Sequence, residues 1–83
     1  MKEKLIGKIT HYFDKINVAI VELSGALKVG DRVHIKGSST DFEQDISSIQ
    51  IEHEDMEKGK KGDAIGVKVD EKVREGDEVY LIA

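Results

Sequence analysis

Hydrophobic and polar positions alternate in short runs divided by glycine-containing turns. Period-2 alternation marks β-strands with one buried face, and here it predicts six of them. Leu5 to Phe13 is the first, with Leu5, Gly7, Ile9, His11 and Phe13 on one face and Ile6, Lys8, Thr10 and Tyr12 on the other. Asn17 to Leu23 is the second, with Ala19, Val21 and Leu23 on one side. Arg32 to Lys36 is the cleanest: Val33 and Ile35 point inward, and Arg32, His34 and Lys36 outward. Asp45 to His53 is the fourth. Ile46 is out of step with Ile49 and Ile51, and one extra residue near Ser47-Ser48, a bulge, restores the alternation. Ala64 to Val69 and Glu78 to Ile82 complete the set. Glu54 to Lys61 is too short and too glycine-broken for more than one helical turn.

Short strands with no helix able to cover a sheet face predict an all-β fold. The expected architecture is a barrel or a sandwich; a six-stranded antiparallel closed β-barrel is the preferred form, since closure also removes the exposed edges of a small open sheet. One pattern recurs before three strands: Gly30-Asp31-Arg32-Val33, Gly62-Asp63-Ala64-Ile65 and Gly76-Asp77-Glu78-Val79. It predicts tight turns in which Gly takes a positive φ and the Asp carboxylate accepts from nearby backbone N–H groups. A carboxylate triplet for metal or acid–base work is the competing reading. Full strands separate the three turns.

The chain has 83 residues, 39% of them hydrophobic and 36% charged, which fits one small folded domain over residues 1–83. There is no cysteine, so a disulfide framework, a thiol nucleophile and a Cys-rich zinc site are excluded. A small domain without disulfides is expected to be cytoplasmic. The longest apolar run, Val18 to Val21, is too short to cross a bilayer, and no signal-peptide core follows the N-terminal residues. Net charge is −4, which opposes a general nucleic-acid binder. The charge is uneven: residues 1–42 hold seven Lys/Arg and five Asp/Glu, and residues 43–83 hold six and twelve.

Three segments together resemble a known family. Leu27-Lys28-Val29-Gly30-Asp31-Arg32-Val33-His34-Ile35 resembles the loop and strand of domain II of translational GTPases of the elongation factor Tu type. Gly59-Lys60-Lys61-Gly62-Asp63-Ala64-Ile65-Gly66-Val67 resembles that family's next turn and strand, and Val73-Arg74-Glu75-Gly76-Asp77-Glu78-Val79 its closing turn. The resemblance covers residues 5–82. It implies a barrel of the translation-protein type acting as a stand-alone, non-enzymatic binding module. The implied partners are tRNA, rRNA or a translation-associated protein. The sequence departs from the family in two ways. No Gly-x-x-x-x-Gly-Lys-Ser/Thr phosphate loop is present; Lys36-Gly37-Ser38-Ser39-Thr40 has the residue types in the wrong order and reads as a solvated turn. Phe13-Asp14-Lys15-Ile16-Asn17 also lacks the Gly and Arg that hold an aminoacyl end. Neither a nucleotide nor any other cofactor is expected. Barrels of the same class also serve as C-terminal accessory domains of U32-type peptidases, and a protein-docking or regulatory domain of that kind is the alternative reading.

The candidate binding residues are basic or aromatic. Arg32, His34 and Lys36 stand about 7 Å apart on one strand face, close to the spacing of successive phosphates. Lys8 and Lys28 extend this patch, and Lys58, Lys60 and Lys61 flank Gly59 in a loop. Outward cations that protect a strand edge are the plainer explanation. Phe13 and Phe42 are expected in the core or packed on turns. Tyr12 and Tyr80 lie opposite the apolar faces, half-buried or free to stack. Glu52, His53, Glu54, Asp55 and Glu57 form an acidic cluster whose spacing matches no calcium loop; it is expected to be solvated, and no metal is expected. His11, His34 and His53 fall on different strands, so no nucleophilic triad can be assembled.

Overall fold

A computed structural model describes residues 3–52 and 54–82. The chain is all-β. Eight strands form one antiparallel sheet in the order β5-β4-β10-β1-β2-β9-β6-β7, and β3 and β8 form a separate two-stranded ribbon. The strands are β1 (Glu3–Phe13), β2 (Val18–Leu23), β3 (Leu27–Lys28), β4 (Arg32–Lys36) and β5 (Asp41–Asp45), then β6 (Ile49–Ile51), β7 (Glu54–Met56), β8 (Lys58–Gly59), β9 (Ala64–Lys68) and β10 (Glu78–Ile82). The core on the inner face is wholly aliphatic. Ile6, Ile9, Val21, Leu27, Val33, Ile35, Ile49, Ile65, Val73 and Val79 are its largest fully buried side chains. β-Branched side chains predominate because they suit a pleated, half-buried surface.

The expected closed barrel is corrected to a large sheet whose end strands, β5 and β7, do not pair with each other. A buried side chain brings one end near β9 instead. Gln44 of β5 donates from Nε2 to the Lys68 carbonyl at 2.8 Å and accepts from the Asp70 N–H at 2.8 Å. The two ends of this polar side chain thus satisfy backbone groups that a strand ladder would otherwise have paired.

The β2, β4, β9 and β10 predictions agree with the structure to within a residue; three other details differ. β1 carries two register shifts, between Leu5 and Gly7 and between Ile9 and His11. They bury Ile6 beside Ile9 and leave Leu5 exposed. The predicted fourth strand, Asp45 to His53, takes in only the last residue of β5 and the whole of β6, while residues 41–44 of β5 fall outside every predicted strand and His53 lies outside the described residues. Ile46 lies between β5 and β6 because the chain changes strand partners, from β4 to β9, rather than bulging. Residues 54–61 hold β7 and β8, not a helical turn. Pairing with β6 and β3 decides that segment's conformation, a tertiary override of weak local preference.

The three Gly-Asp turns share one geometry. Lys28, Lys60 and Arg74 open turns closed by Asp31, Asp63 and Asp77, whose N–H groups donate to the opening carbonyls at 3.1, 3.0 and 3.1 Å. The glycine between has φ of 98°, 93° or 92°, the left-handed value required at the third position of a type II turn. Each Asp Oδ2 accepts from the opening residue's N–H. A second pair of bonds locks each turn to a buried aliphatic. The Gly N–H donates to the carbonyl of Ile46, Leu23 or Ile9, and the N–H of that same residue donates to the Asp carbonyl at 2.8 Å. The carboxylates therefore serve the backbone, and the metal or acid–base reading of the triplet loses its basis.

Candidate functional site

The outward triplet of β4 lies in the middle of a charge lattice. β5 sets Asp45, Glu43 and Asp41 opposite Arg32, His34 and Lys36 in register. Arg32 donates from Nη1 to Asp45 at 3.0 Å and from Nε to Glu43 at 3.3 Å. His34 Nδ1 is 2.9 Å from Glu3 Oε1, and its Nε2 meets Asp41 Oδ1. Lys36 Nζ sits 6.0 Å from the centroid of the Tyr80 ring. The Tyr80 hydroxyl donates to Glu78 at 3.1 Å, and this bond pushes its pKa upward.

The lattice extends across five strands. Asp41 opposes Lys36, Lys36 opposes Glu78, Glu78 opposes Lys8, and Lys8 opposes Glu22. All five side chains are exposed and their signs alternate. Opposite charges facing each other across strands favour this register, while each exposed pair contributes little energy by itself. The structure thus brings Lys8, Arg32, His34 and Lys36 together, but surrounded by carboxylates. They do not make the electropositive surface that a phosphate backbone needs.

The remaining candidates lie elsewhere. Lys28 and Lys58 oppose each other on the β3–β8 ribbon. Lys60 and Lys61 are exposed in the turn that leads to β9. Tyr12 is half-buried against the core, with its hydroxyl donating to Asn17 Oδ1 at 3.4 Å. Within the acidic cluster, Asp55 accepts from Gln50 at 3.0 Å; His53 lies outside the described residues. No group of three His, Asp or Glu side chains suited to a metal occurs among the described residues, and the concavities there are open to solvent.

Sequence reasoning missed the apolar tip of the β1–β2 hairpin. Phe13, expected in the core or on a turn, is 44% exposed, and Ile16 is 61% exposed. The register shift between Ile9 and His11 reverses the alternation, turning Tyr12 inward and Phe13 outward beside the His11 ring at 4.5 Å. Val29 and Met56 are also exposed apolar side chains, 41% and 42%, and the Val29 N–H donates to the Glu57 carbonyl at 2.8 Å.

No family model matches the chain. It is 45% identical over 78 residues to an uncharacterized protease of Methanocaldococcus jannaschii, covering 93% of this chain and 19% of that protein. It is 39% identical over 77 residues to a collagenase of Porphyromonas gingivalis, covering 90% of this chain and 21% of that one. The chain thus spans about a fifth of the length of the curated relatives it matches. These relatives overturn the resemblance to domain II of translational GTPases, and the RNA-binding reading falls with it. Among solved structures, the C-terminal domain of a U32 peptidase-type protein of Geobacillus thermoleovorans superposes with a TM-score of 0.90 at 18% identity, covering 96% of this chain and 93% of that one. Its selenomethionine variant gives 0.87 at 19% identity, covering 92% and 96%. The chain has the fold of that C-terminal domain.

Proposed function

We propose that this chain acts as a non-catalytic accessory domain of a U32-type peptidase, docking against a protein rather than performing the hydrolysis. The observation that supports this most directly is the alignment: nine-tenths of the chain matches only a fifth of a protease. The chemistry agrees. The chain lacks cysteine, the described histidines His11 and His34 each face carboxylates rather than a serine or threonine, and the concavities are open to solvent and exclude little water. The exposed Phe13–Ile16 tip offers apolar area for a protein contact. A cytoplasmic setting fits a cysteine-free domain, and no helix among the described residues is long and apolar enough to cross a membrane.

The test uses the Methanocaldococcus protease with its matching segment deleted. The purified chain is mixed with it and the masses are followed by size-exclusion chromatography with light scattering. A complex that Phe13→Ser with Ile16→Ser weakens is expected, with no cleavage of gelatin or casein by the chain alone. Cleavage by the chain alone would overturn the non-catalytic reading. Absence of any complex would overturn the docking reading.

A further inference from the structure

We infer that His34 is a pH-operated clasp, which holds the end strand β5 and the start of β1 onto β4 while its imidazole is protonated and lets them go when the proton leaves. Both ring nitrogens face carboxylates. Nδ1 is 2.9 and 3.0 Å from the two oxygens of Glu3, and Nε2 contacts Asp41 Oδ1. A neutral imidazole has one N–H and one lone pair. It can serve one of these carboxylates and must present a lone pair to the other. The imidazolium alone donates to both. The side chain of His34 is 13% exposed, against 36% for Glu3 and 74% for Asp41, so water cannot easily replace the missing donor at the ring.

The topology gives the clasp its reach. β10 lies between β1 and β4, so Glu3 crosses over β10 to meet His34 and joins two strands that share no ladder. Asp41 is the first residue of β5, a strand paired on one side only. The other groups around the ring are already engaged. Glu43 of β5 is taken by Arg32. Tyr80 of β10, directly opposite His34, gives its hydroxyl to Glu78. Lys36 lies over the Tyr80 ring. Glu3, Asp41, Glu43 and Asp45 outnumber Arg32 and Lys36 on this face, Arg32 is shared by Glu43 and Asp45, and the His34 proton adds a positive charge between the two carboxylates that Arg32 does not engage. In agreement, hydrogen bonds to Asp41 and then to Glu3 hold the His34 pKa above its ordinary 6.5, and the bond to His34 holds Asp41 below 3.8.

The experiment follows the imidazole Cε1–H resonance of His34 by NMR from pH 5 to 9.5 in the full chain, with the His34→Gln spectrum assigning the signal. Amide exchange protection in β5 is measured over the same range. A midpoint above 6.5 is expected, moving down when Glu3→Gln and Asp41→Asn are combined. β5 protection is expected to fall several-fold through that midpoint in the native chain and to show no such step in His34→Gln. A midpoint at or below 6.5 overturns the clasp, and so does β5 protection that is indifferent to the His34 titration. The native titration and the Glu3→Gln/Asp41→Asn comparison decide the matter even where His34→Gln fails to fold.

Discussion

Two lysine-bearing regions of this molecule have opposite electrostatic surroundings. On the main sheet, Lys36 and Lys8 each stand between carboxylates in register, Asp41 and Glu78 for one and Glu78 and Glu22 for the other. On the ribbon, Lys28 directly opposes Lys58. Complementary cross-strand charge favours the sheet's register, whereas the ribbon pairs against its own charge. The ribbon is therefore held by other means: burial of Leu27 and Gly59 beneath the two lysines, and the Val29–Glu57 backbone bond. The same residue type, equally exposed, reports complementarity in one place and tolerated repulsion in the other. A sum of lysines along the sequence does not distinguish them.

The largest effect is expected from the ribbon's apolar anchor. Leu27→Ala removes a fully buried side chain and should cost about 2–5 kcal/mol, read as a lower denaturant midpoint. A smaller loss at this position would mean that the ribbon is not anchored by burial. Gly59→Ala should cost about 1–3 kcal/mol. Its added Cβ would lie 2.7 Å from Leu23 Cδ1 and 2.9 Å from Ile65 Cγ2, inside the core; unchanged stability would show that β8 can lift away freely.

Charge reversals sharpen the contrast by sign. Lys58→Glu should stabilise and Lys36→Glu destabilise, each by less than about 1 kcal/mol, with both effects fading at high salt. Equal signs in urea titrations would remove the electrostatic distinction between the regions.

The main sheet carries a pH dependence of its own. The His34 pKa is raised on folding, so its contribution is complete below the unfolded value near 6.5 and is lost as pH rises through the higher folded value. Asp41 is lowered, so its contribution is present above about 3.8 and is lost as pH falls through the folded value. Their joint support is therefore greatest between about pH 4 and 6.5. Thermal unfolding of the native chain and His34→Gln should differ most in that window and converge at alkaline pH. A constant difference across pH would assign His34 a packing role only.

Strand existence was legible where alternation was clean. In Arg32-Val33-His34-Ile35-Lys36 local pattern and tertiary burial agree, and the strand ends match. The three Gly-Asp turns were legible for the same reason, since a positive φ and a short acceptor are local requirements. β1 was misread because its two register shifts change which residues face inward, and the shifts answer to β2 and β10. The basic triplet was visible, but its neutralisation was not: Asp41 and Glu43 lie in a part of β5 that the pattern did not predict as strand, and Glu3 reaches His34 from 31 positions away. The likeness to domain II rested on these turn-and-strand signatures, and the curated relatives that match this segment are an uncharacterized protease and a collagenase.

By itself, the sequence determined an all-β chain without thiol chemistry, the positions of its tight turns and the inward sides of β2 and β4. These follow from backbone preference and side-chain period, which act over a few residues. Only the tertiary structure decided that the end strand β5 is tied to β9 through Gln44 rather than by a ladder, that Phe13 faces out, that Lys28 meets Lys58, and that His34 sits between two carboxylates. Each of those outcomes depends on which strands become neighbours, and strand pairing is a long-range choice that local period does not encode.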